Sequence, residues 1–340
     1  LFSCTHIILQ YLVWGIECIY HEVDYNWNGN CPDDSSRRPL HLYTLQNFIN
    51  NFQCILTARQ QMRTSILSKM TQTYSLIALD IDGTLRGDTL EPSDFVLETL
   101  DKCCQRGALI VAATGRSRLS AYQYLDHFPM VDYVVSFQGA MVSSRKRDEL
   151  VWESPMEQKE VALAVEFLAD HPVERVVYVD DFILVDSLTP WASSYGERNS
   201  VRVVETESFL AHEGTTYRVL AVGSSDEIIK VERSVKTLYS QELYATRSLH
   251  HFCEILSPKA GKEKALNWLC HQMDIHPKEV LAFGNGLNDL EMIRWAGRGV
   301  AIEGGEPEAL AITCEIAPPV ERDGVAIYLS ELLRQNLIGG

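Results

Sequence analysis

The chain carries little positive charge for its length. Its 340 residues include 30 Lys and Arg against 46 Asp and Glu, which gives a formal net charge of −16. Residues 1–69 hold five basic and five acidic residues, so the whole acidic excess belongs to the remainder. Because such a surface repels nucleic-acid phosphates and anionic membranes, and no basic stripe compensates, we expect neither as a partner. A small phosphorylated ligand remains compatible, since a local cation and a metal ion can dominate the field of one site.

The sequence also lacks the cysteine patterns of a zinc site. Its nine cysteines include no C-x-x-C pair and no Cys/His spacing that is typical of zinc. Cys103 and Cys104 are adjacent on a helical stretch, and Cys253, Cys270 and Cys314 lie in apolar contexts. We therefore expect buried free thiols and a reducing, cytoplasmic location.

No apolar run is long enough to cross a membrane. Residues 7–20 are apolar but are interrupted by Gln10 and Glu17, and they fall short of the roughly 20 residues that a span needs. No basic segment followed by a small-residue cleavage site marks a signal peptide. The hydrophobic fraction of 46% and the charged fraction of 22% are those of an ordinary globular protein.

Two carboxylates at the end of an apolar run are the most informative feature that is present. Asp80 and Asp82, followed by Gly83, come directly after residues 76–79. The run predicts a buried parallel strand, and catalytic groups of open α/β sheets lie at the carboxyl ends of such strands. Because the chain turns at Gly83, both carboxylates can approach one bound group. One can then attack while the other handles a proton; the alternative is an acidic loop after a core strand.

From residue 74 onward, short apolar strands alternate with helical stretches, which predicts a parallel sheet covered on both faces. The predicted strands are 75–80, 108–113, 132–136, 279–283 and 299–302. The predicted helices are 93–106, 117–127, 261–273, 287–296 and 324–335. Thr114 and Lys262 are 148 positions apart, far more than a connection in a compact α/β unit needs. We therefore expect an inserted domain of mixed strands and helices between them.

Four segments, in this order, resemble the signature motifs of the haloacid dehalogenase-like phosphotransferases. Leu-Asp-Ile-Asp-Gly-Thr-Leu at 79–85 matches the first motif and Ala-Thr-Gly-Arg at 113–116 the second. Lys262, at the start of a predicted helix, matches the third, and Phe-Gly-Asn-Gly-Leu-Asn-Asp at 283–289 the fourth. The chain is most similar to the Cof-type members, subclass IIB, which are mostly soluble Mg-dependent phosphatases of small phosphorylated metabolites. The likeness covers residues from about 70 to 340.

This resemblance implies an α/β fold with two parts. One is a Rossmann-like core with a parallel sheet, which we expect over residues 70–150 and 255–340. The other is an inserted α/β cap domain of the C2B type, expected over residues 151–254.

The first 69 residues do not fit that scheme. In the resembled family the first strand usually begins within several residues of the N-terminus, and Met70 stands just before it here. We expect Met70, or less directly Met62, as the natural start, and residues 1–69 as a non-native or disordered extension. A membrane anchor or an extra N-terminal module is the alternative.

The resemblance also implies roles for the motif residues. Asp80 attacks phosphorus and becomes an aspartyl-phosphate, while Asp82 protonates the leaving alcohol and then activates water. Lys262 neutralises the phosphoryl group and the Asp80 carboxylate. The implied phosphate-binding residues are Thr114, Gly115, Arg116 and Asn288. The implied Mg²⁺ ligands are Asp80, Asp82 through its backbone carbonyl, Asn285 and Asp289.

Several of these residues have a second interpretation that the sequence leaves open. Thr114 could be an ordinary helix N-cap, and Lys262 a solvated lysine at a helix start. Residues 284–286 could form only a turn. Arg116 could brace its loop instead of touching substrate or phosphate.

Three departures from the family pattern affect these expectations. Asn285 replaces the first Asp of the fourth motif, so the site loses one negative charge and we expect weaker metal binding. Gln138 stands where the family commonly has Asn before Gly-Ala, and residues 303–305 replace a usual Gly-Asn-Ala. Both of these lie near the expected mouth of the site, so they bear on substrate orientation more than on chemistry.

Three functions fit this sequence. A Mg-dependent metabolite phosphatase is the first, acting on a sugar phosphate, a nucleotide or a cofactor phosphate. A phosphomutase or other phosphotransferase of the same fold is the second, and a non-catalytic metabolite sensor is the third. The substrate and the oligomeric state stay open.

Overall fold

The computed structural model describes residues 73–87 and 91–339. The expectation of a non-native or disordered extension at residues 1–69 lies outside these residues. Within the described part, no helix combines the length and the apolar character that crossing a membrane requires.

Strands and helices fill most of the described chain. The strands are β1 (Leu76–Leu79), β2 (Leu109–Ala113), β3 (Tyr133–Ser136), β4 (Met141–Ser144), β5 (Glu149–Glu153), β6 (Glu174–Val179), β7 (Phe182–Val185), β8 (Arg202–Glu205), β9 (Thr216–Val222), β10 (Tyr244–Leu249), β11 (Phe252–Leu256), β12 (Val280–Gly284), β13 (Arg298–Ile302) and β14 (Ile316–Ala317). The α-helices are α1 (Asp94–Gln105), α2 (Arg118–Leu125), α3 (Gln158–Ala169), α4 (Pro190–Asn199), α5 (Ser225–Leu238), α6 (Lys262–Gln272), α7 (Leu290–Trp295), α8 (Pro307–Ala311) and α9 (Gly324–Arg334).

The larger of two sheets has eight strands in the order β14-β13-β12-β1-β2-β3-β4-β5. The first six run parallel, and β4 and β5 continue the sheet as antiparallel strands. The chain order reverses at β1, which lies between β2 and β12. Ligands of open α/β sheets bind at the carboxyl ends of strands beside such a reversal.

Alternate side chains of β1 enter two separate cores. Ile77 and Leu79 pack with residues of α1, α2 and α9. Leu76 and Ala78 pack on the other face with residues of α6 and α7. All four are buried, because a strand covered by helices on both faces has no polar side.

The second sheet is formed by six strands in the order β10-β11-β9-β6-β7-β8, and only β7 and β8 pair in parallel. One face packs against helices α3 and α5. The other face packs against α4 and against Phe137 and Met141, which the larger sheet contributes. This second face therefore lies over the larger sheet.

The predicted α/β fold, with a parallel core sheet and an inserted α/β unit, is confirmed. The predicted cap boundaries at 151 and 254 fall inside strands β5 and β11, which belong to the larger and the second sheet respectively. The division of the chain into domains stays a prediction.

The cap of helix α2 decides the shape of the loop before it. Ser117 is the N-cap residue, and its Oγ accepts a hydrogen bond of 3.2 Å from the N–H of Ser120. Thr114 is therefore no N-cap. Residues 114–116 remain a loop at the end of β2, with backbone groups that helix formation does not use.

Candidate active site

Three neighbouring strands of the larger sheet end at one place. Asp80 follows β1, Thr114 follows β2 and Asn285 follows β12. Lys262 is the first residue of α6 and reaches the same edge of the sheet. The four motifs, which are distant in sequence, therefore meet at the carboxyl ends of these strands.

Lys262 lies between two buried carboxylates. Its Nζ donates to Oδ1 of Asp80 at 2.7 Å and to Oδ1 of Asp289 at 2.6 Å. Lys262 is 1% exposed, Asp80 5% and Asp289 0%. The alternative of a solvated lysine at a helix start is therefore wrong. One ammonium group and two carboxylates leave this buried cluster with an excess negative charge.

The pKa values in this cluster follow from burial and from that excess. Burial, with Asp289 nearby, raises the pKa of Asp80 above its usual range, although Lys262 opposes the shift. For Lys262, burial lowers the pKa, but the carboxylates of Asp289 and Asp80 outweigh it and raise the pKa overall. The ammonium group therefore stays charged.

The side chain of Asn285 meets two oxygens at a candidate magnesium site. The end of its carboxamide lies 2.9 Å from the backbone oxygen of Asp82 and 3.3 Å from Oδ2 of Asp80. If the amide nitrogen occupies that position, it donates to both oxygens. If the amide oxygen occupies it, three acceptors face one another, and only a cation between them would stabilise the arrangement. Adjacent ligands of an octahedral Mg²⁺ lie roughly 3 Å apart, because each Mg–O bond is about 2.0–2.1 Å. The spacing and the donor types fit Mg²⁺.

Asp289 has both carboxylate oxygens engaged. Besides the bond from Lys262 to Oδ1, its Oδ2 accepts from the N–H groups of Asn285 and Gly286 at 3.0 and 2.9 Å. Asp289 thus fixes the loop that presents Asn285, and its direct ligation of Mg²⁺ stays a prediction. Across residues 73–87 and 91–339, no three His, Cys, Asp or Glu side chains form a metal-binding group. The candidate site depends instead on a backbone carbonyl and a carboxamide beside one carboxylate.

Asp82 is paired with an arginine. Arg116 donates to both of its carboxylate oxygens at 2.7 Å, and Arg86 donates to Oδ1 at 3.3 Å. The Asp82 side chain is 51% exposed, which leaves it room to rotate. The predicted acid and base of the reaction therefore lies within reach of solvent, beside the buried Asp80.

The loop at 114–116 offers hydrogen-bond donors to an anion. Thr114 is buried, and its Oγ1 accepts from the N–H of Arg116 at 3.1 Å. The N–H of Gly115 has no acceptor among residues 73–87 and 91–339. A free backbone N–H beside a buried hydroxyl can hold an anion such as a phosphoryl oxygen.

The family model for haloacid dehalogenase-like hydrolases matches residues 77–329, which is most of the chain. The chain belongs to this family. The predicted family is thereby confirmed, and the protein is a hydrolase.

Several proteins are similar to this hydrolase over nearly their whole length. YxeH of Bacillus subtilis (strain 168) is 28% identical over 276 residues, covering 76% of this chain and 98% of YxeH. The 5-amino-6-(5-phospho-D-ribitylamino)uracil phosphatase YitU of the same organism is 26% identical over 263 residues, covering 75% and 96%. A haloacid dehalogenase-like hydrolase of known structure from Bacteroides thetaiotaomicron is 26% identical, with a TM-score of 0.65 over 76% of this chain and 99% of its own.

A cavity of about 1090 Å³ lies between the two sheets of the hydrolase. We call its larger-sheet side the floor; it includes Asp80, Asp82, Thr114, Gly115, Arg116, Asn285 and Asn288. We call its second-sheet side the roof; it includes Tyr178, Tyr195, Tyr217, Arg218 and Glu254. The volume is that of a pocket for a small metabolite.

The roof residues Arg218 and Glu254 were not predicted from the sequence. Arg218 Nη1 pairs with Oε2 of Glu254 at 2.5 Å, and both side chains are almost completely buried. A signal was present, because each is the single charged residue of a largely apolar strand, β9 or β11. Buried charges are rare without a partner. A search for charged residues in apolar strands would have found both.

Proposed function

We propose that this hydrolase is a Mg-dependent phosphatase that cleaves a small phosphorylated metabolite through an aspartyl-phosphate. The observation that carries the proposal is the buried Asp80, held by Lys262 on a cavity floor that also includes Gly115 with its free N–H. YitU, which is named as a phosphatase of a phosphorylated metabolite, supports it.

In the first step the Asp80 carboxylate forms a bond to phosphorus while the ester P–O bond breaks. Asp82 gives its proton to the departing alkoxide oxygen, for which it has to rotate away from Arg116. In the second step Asp82, now a carboxylate, takes a proton from water, and the resulting oxygen attacks phosphorus. Asp80 departs as the carboxylate and inorganic phosphate is released.

The surrounding residues hold the phosphoryl group by charge and hydrogen bonds. The Thr114 hydroxyl, the Gly115 N–H and Asn288 would contact its oxygens, and Lys262 would offset its charge. Mg²⁺, when bound, would offset the negative charge of the phosphoryl group. Its ligands would be those of the candidate magnesium site described above, with Asp289 holding the loop.

Arg116 has a different role in this proposal from the one the motif suggests. Its guanidinium is occupied by both oxygens of Asp82, so we propose that it orients Asp82. Contact between Arg116 and the phosphoryl group requires that this pair open. The rotation of Asp82 during acid catalysis opens the same pair.

The test is release of inorganic phosphate by the full chain from a panel of sugar phosphates, nucleotides and cofactor phosphates, with Mg²⁺ and with EDTA. We expect Mg-dependent release from at least one class. Retention of a bisphosphorylated intermediate would instead indicate a phosphomutase. Saturable binding of panel compounds without any release by folded protein would indicate a sensor.

A further inference from the structure

A continuous chain of buried and partly buried hydrogen bonds joins the roof of the cavity to its floor. Gln138 Nε2 donates to Oε1 of Glu254 at 2.7 Å, and Gln138 Oε1 accepts from Nδ2 of Asn288 at 3.1 Å. Glu254 is held in turn by Arg218, whose Nη1 also donates to the carbonyl oxygen of Gly115 at 2.8 Å. Both functional ends of the Gln138 carboxamide are therefore used, one toward each sheet.

The backbone around Gln138 is held in an uncommon conformation. Phe137 and Gln138 have φ values of +46° and +52°, in the left-handed region that side chains other than glycine rarely adopt. The turn is fastened to the phosphate-binding loop, because the N–H of Gln138 donates to Thr114 O and that of Phe137 to Arg116 O. Strain of this kind persists where surrounding contacts enforce it, and it concentrates at functional sites.

Little space separates this turn from the loop at residues 114–116. A Cβ placed on Gly115 would lie 2.3 Å from Nε2 of Gln138 and 3.3 Å from Oε1 of Glu254. The Gln138 carboxamide thus packs directly against the backbone of Gly115. The position of that carboxamide therefore limits where the Gly115 N–H can point.

On the roof side of this chain of hydrogen bonds, Arg218 is held by several contacts. The Arg218 guanidinium lies 4.1 Å from the ring centre of Tyr178 and 5.3 Å from that of Phe137. Together with its pairing to Glu254, this fixes Arg218 by charge, hydrogen bonding and stacking. The Gln138 carboxamide therefore has a firmly held partner on the roof side.

We propose that Gln138 is a positioning residue that ties the phosphate-binding loop at Gly115, and Asn288, to the buried Arg218–Glu254 pair of the roof. Gln138 acts through the loop and contacts no reacting atom. The proposal rests on the proposed function for its meaning, since the loop is taken to hold the phosphoryl group. The carboxamide of Gln138 reaches Glu254 with one end and Asn288 with the other.

Gln138→Asn keeps the amide and shortens its reach by one methylene, so it tests the proposal directly. We expect hydrogen exchange of the backbone amides in residues 114–116 to become about tenfold faster, and inorganic phosphate to bind about tenfold more weakly. Glu254→Gln should act in the same direction. The double variant should resemble the stronger single variant, because both changes interrupt one chain of contacts.

Asp186→Asn is the control, since it removes the carboxylate partner of Arg175 in the second sheet without touching the cavity lining. It should change neither amide exchange at 114–116 nor phosphate binding. Unchanged exchange in Gln138→Asn, or additive effects in the double variant, would overturn the proposal. Amide exchange is measured without substrate. If the wild-type protein releases no phosphate, the proposed function fails, but the exchange result still decides the role of Gln138.

Discussion

The floor and the roof of the cavity use different parts of their strands. On the floor, Asp80, Thr114 and Asn285 each stand just beyond the carboxyl end of a strand. On the roof, Arg218 and Glu254 lie inside β9 and β11 and project from the face of the sheet. The floor residues are therefore next to a strand end in sequence, whereas the roof residues are surrounded by core residues.

The two sides also differ in charge balance. At the floor, the buried Lys262 ammonium group lies between the buried carboxylates of Asp80 and Asp289. At the roof, one buried guanidinium pairs with one buried carboxylate. From this difference we expect that changes on the floor remove catalysis or metal binding, while changes of the roof's outer polar groups mainly alter substrate affinity.

The largest effect is expected from Asp80→Asn on the floor. The amide cannot form the aspartyl-phosphate, so turnover should fall on the order of 10⁴-fold or more. Phosphate release is the measurement, and circular dichroism checks that the variant is folded. Asp186→Asn, the same chemical change in the second sheet, should keep full activity. Equal activity of Asp80→Asn and wild type would remove Asp80 as the nucleophile.

Lys262→Met should come next, because it leaves two buried carboxylates without their cation. We expect turnover to fall about 10³-fold and the free energy of unfolding to fall by about 3–5 kcal/mol in metal-free buffer. Urea denaturation followed by tryptophan fluorescence measures the stability, and added Mg²⁺ should restore part of it. Lys264→Met, on an exposed position of the same helix, serves as the control.

Asn285→Asp sharpens the comparison by adding charge to the floor. Because a carboxylate binds Mg²⁺ more strongly than a carboxamide does, the Mg²⁺ concentration for half-maximal activity should fall about tenfold. The rise of the melting temperature with Mg²⁺ gives a reading that does not depend on activity. Asn267→Asp adds the same charge to α6 outside the cavity lining and should leave both readings unchanged.

A pH effect follows from the raised pKa of Asp80. Attack requires the carboxylate, so turnover should fall on the acid side at a higher pH than an ordinary carboxyl group would give. A divalent cation at the floor favours the carboxylate and opposes the shift. Rising Mg²⁺ should therefore move the acid limb of the pH–rate profile to lower pH, by about one unit. An acid limb that does not move with Mg²⁺ would mean that Asp80 is not part of the metal site.

The smallest effect is expected from Tyr217→Phe on the roof. The hydroxyl of Tyr217 donates to Glu153 and contacts none of the proposed reacting groups. We expect KM for the natural substrate to rise about two- to fivefold, with kcat unchanged, because Tyr217 lines the cavity and its ring loses the hydrogen bond that holds it to Glu153. A large loss of kcat would mean that the roof takes part in the chemistry and that the contrast with the floor is too sharp.

Sequence reasoning located the floor because its signals are local. The predicted strand 75–80 corresponds to β1 and 279–283 to β12, and each is followed by the expected polar residues. An apolar run with a carboxylate or amide behind it is visible without any knowledge of distant contacts. The motif residues Asp80, Thr114, Lys262 and Asn285 meet as the motif order predicts.

The roof was harder to predict because its contacts join distant segments. Gln138 and Glu254 are 116 positions apart, and nothing near either residue identifies the other. Strand β10 mixes polar and apolar residues, and helix α4 has no clear apolar period, so neither was predicted. The pairing of Arg116 with Asp82 also depends on tertiary approach, and the motif alone suggested another use of that arginine.

The position of β1 between β2 and β12 has a consequence during protein synthesis. Leu76 pairs with Leu109 on one side and with Val280 on the other, 204 positions further along the chain. At 5–20 residues per second, the ribosome needs roughly 10–40 s to make that stretch. Throughout this time one edge of the central strand, with its backbone N–H and C=O groups, lacks its native neighbour, and the whole second sheet is made before that neighbour is. Nascent chains with such an unpaired edge are prone to aggregate or to bind chaperones. The inserted unit therefore delays completion of the larger sheet during synthesis.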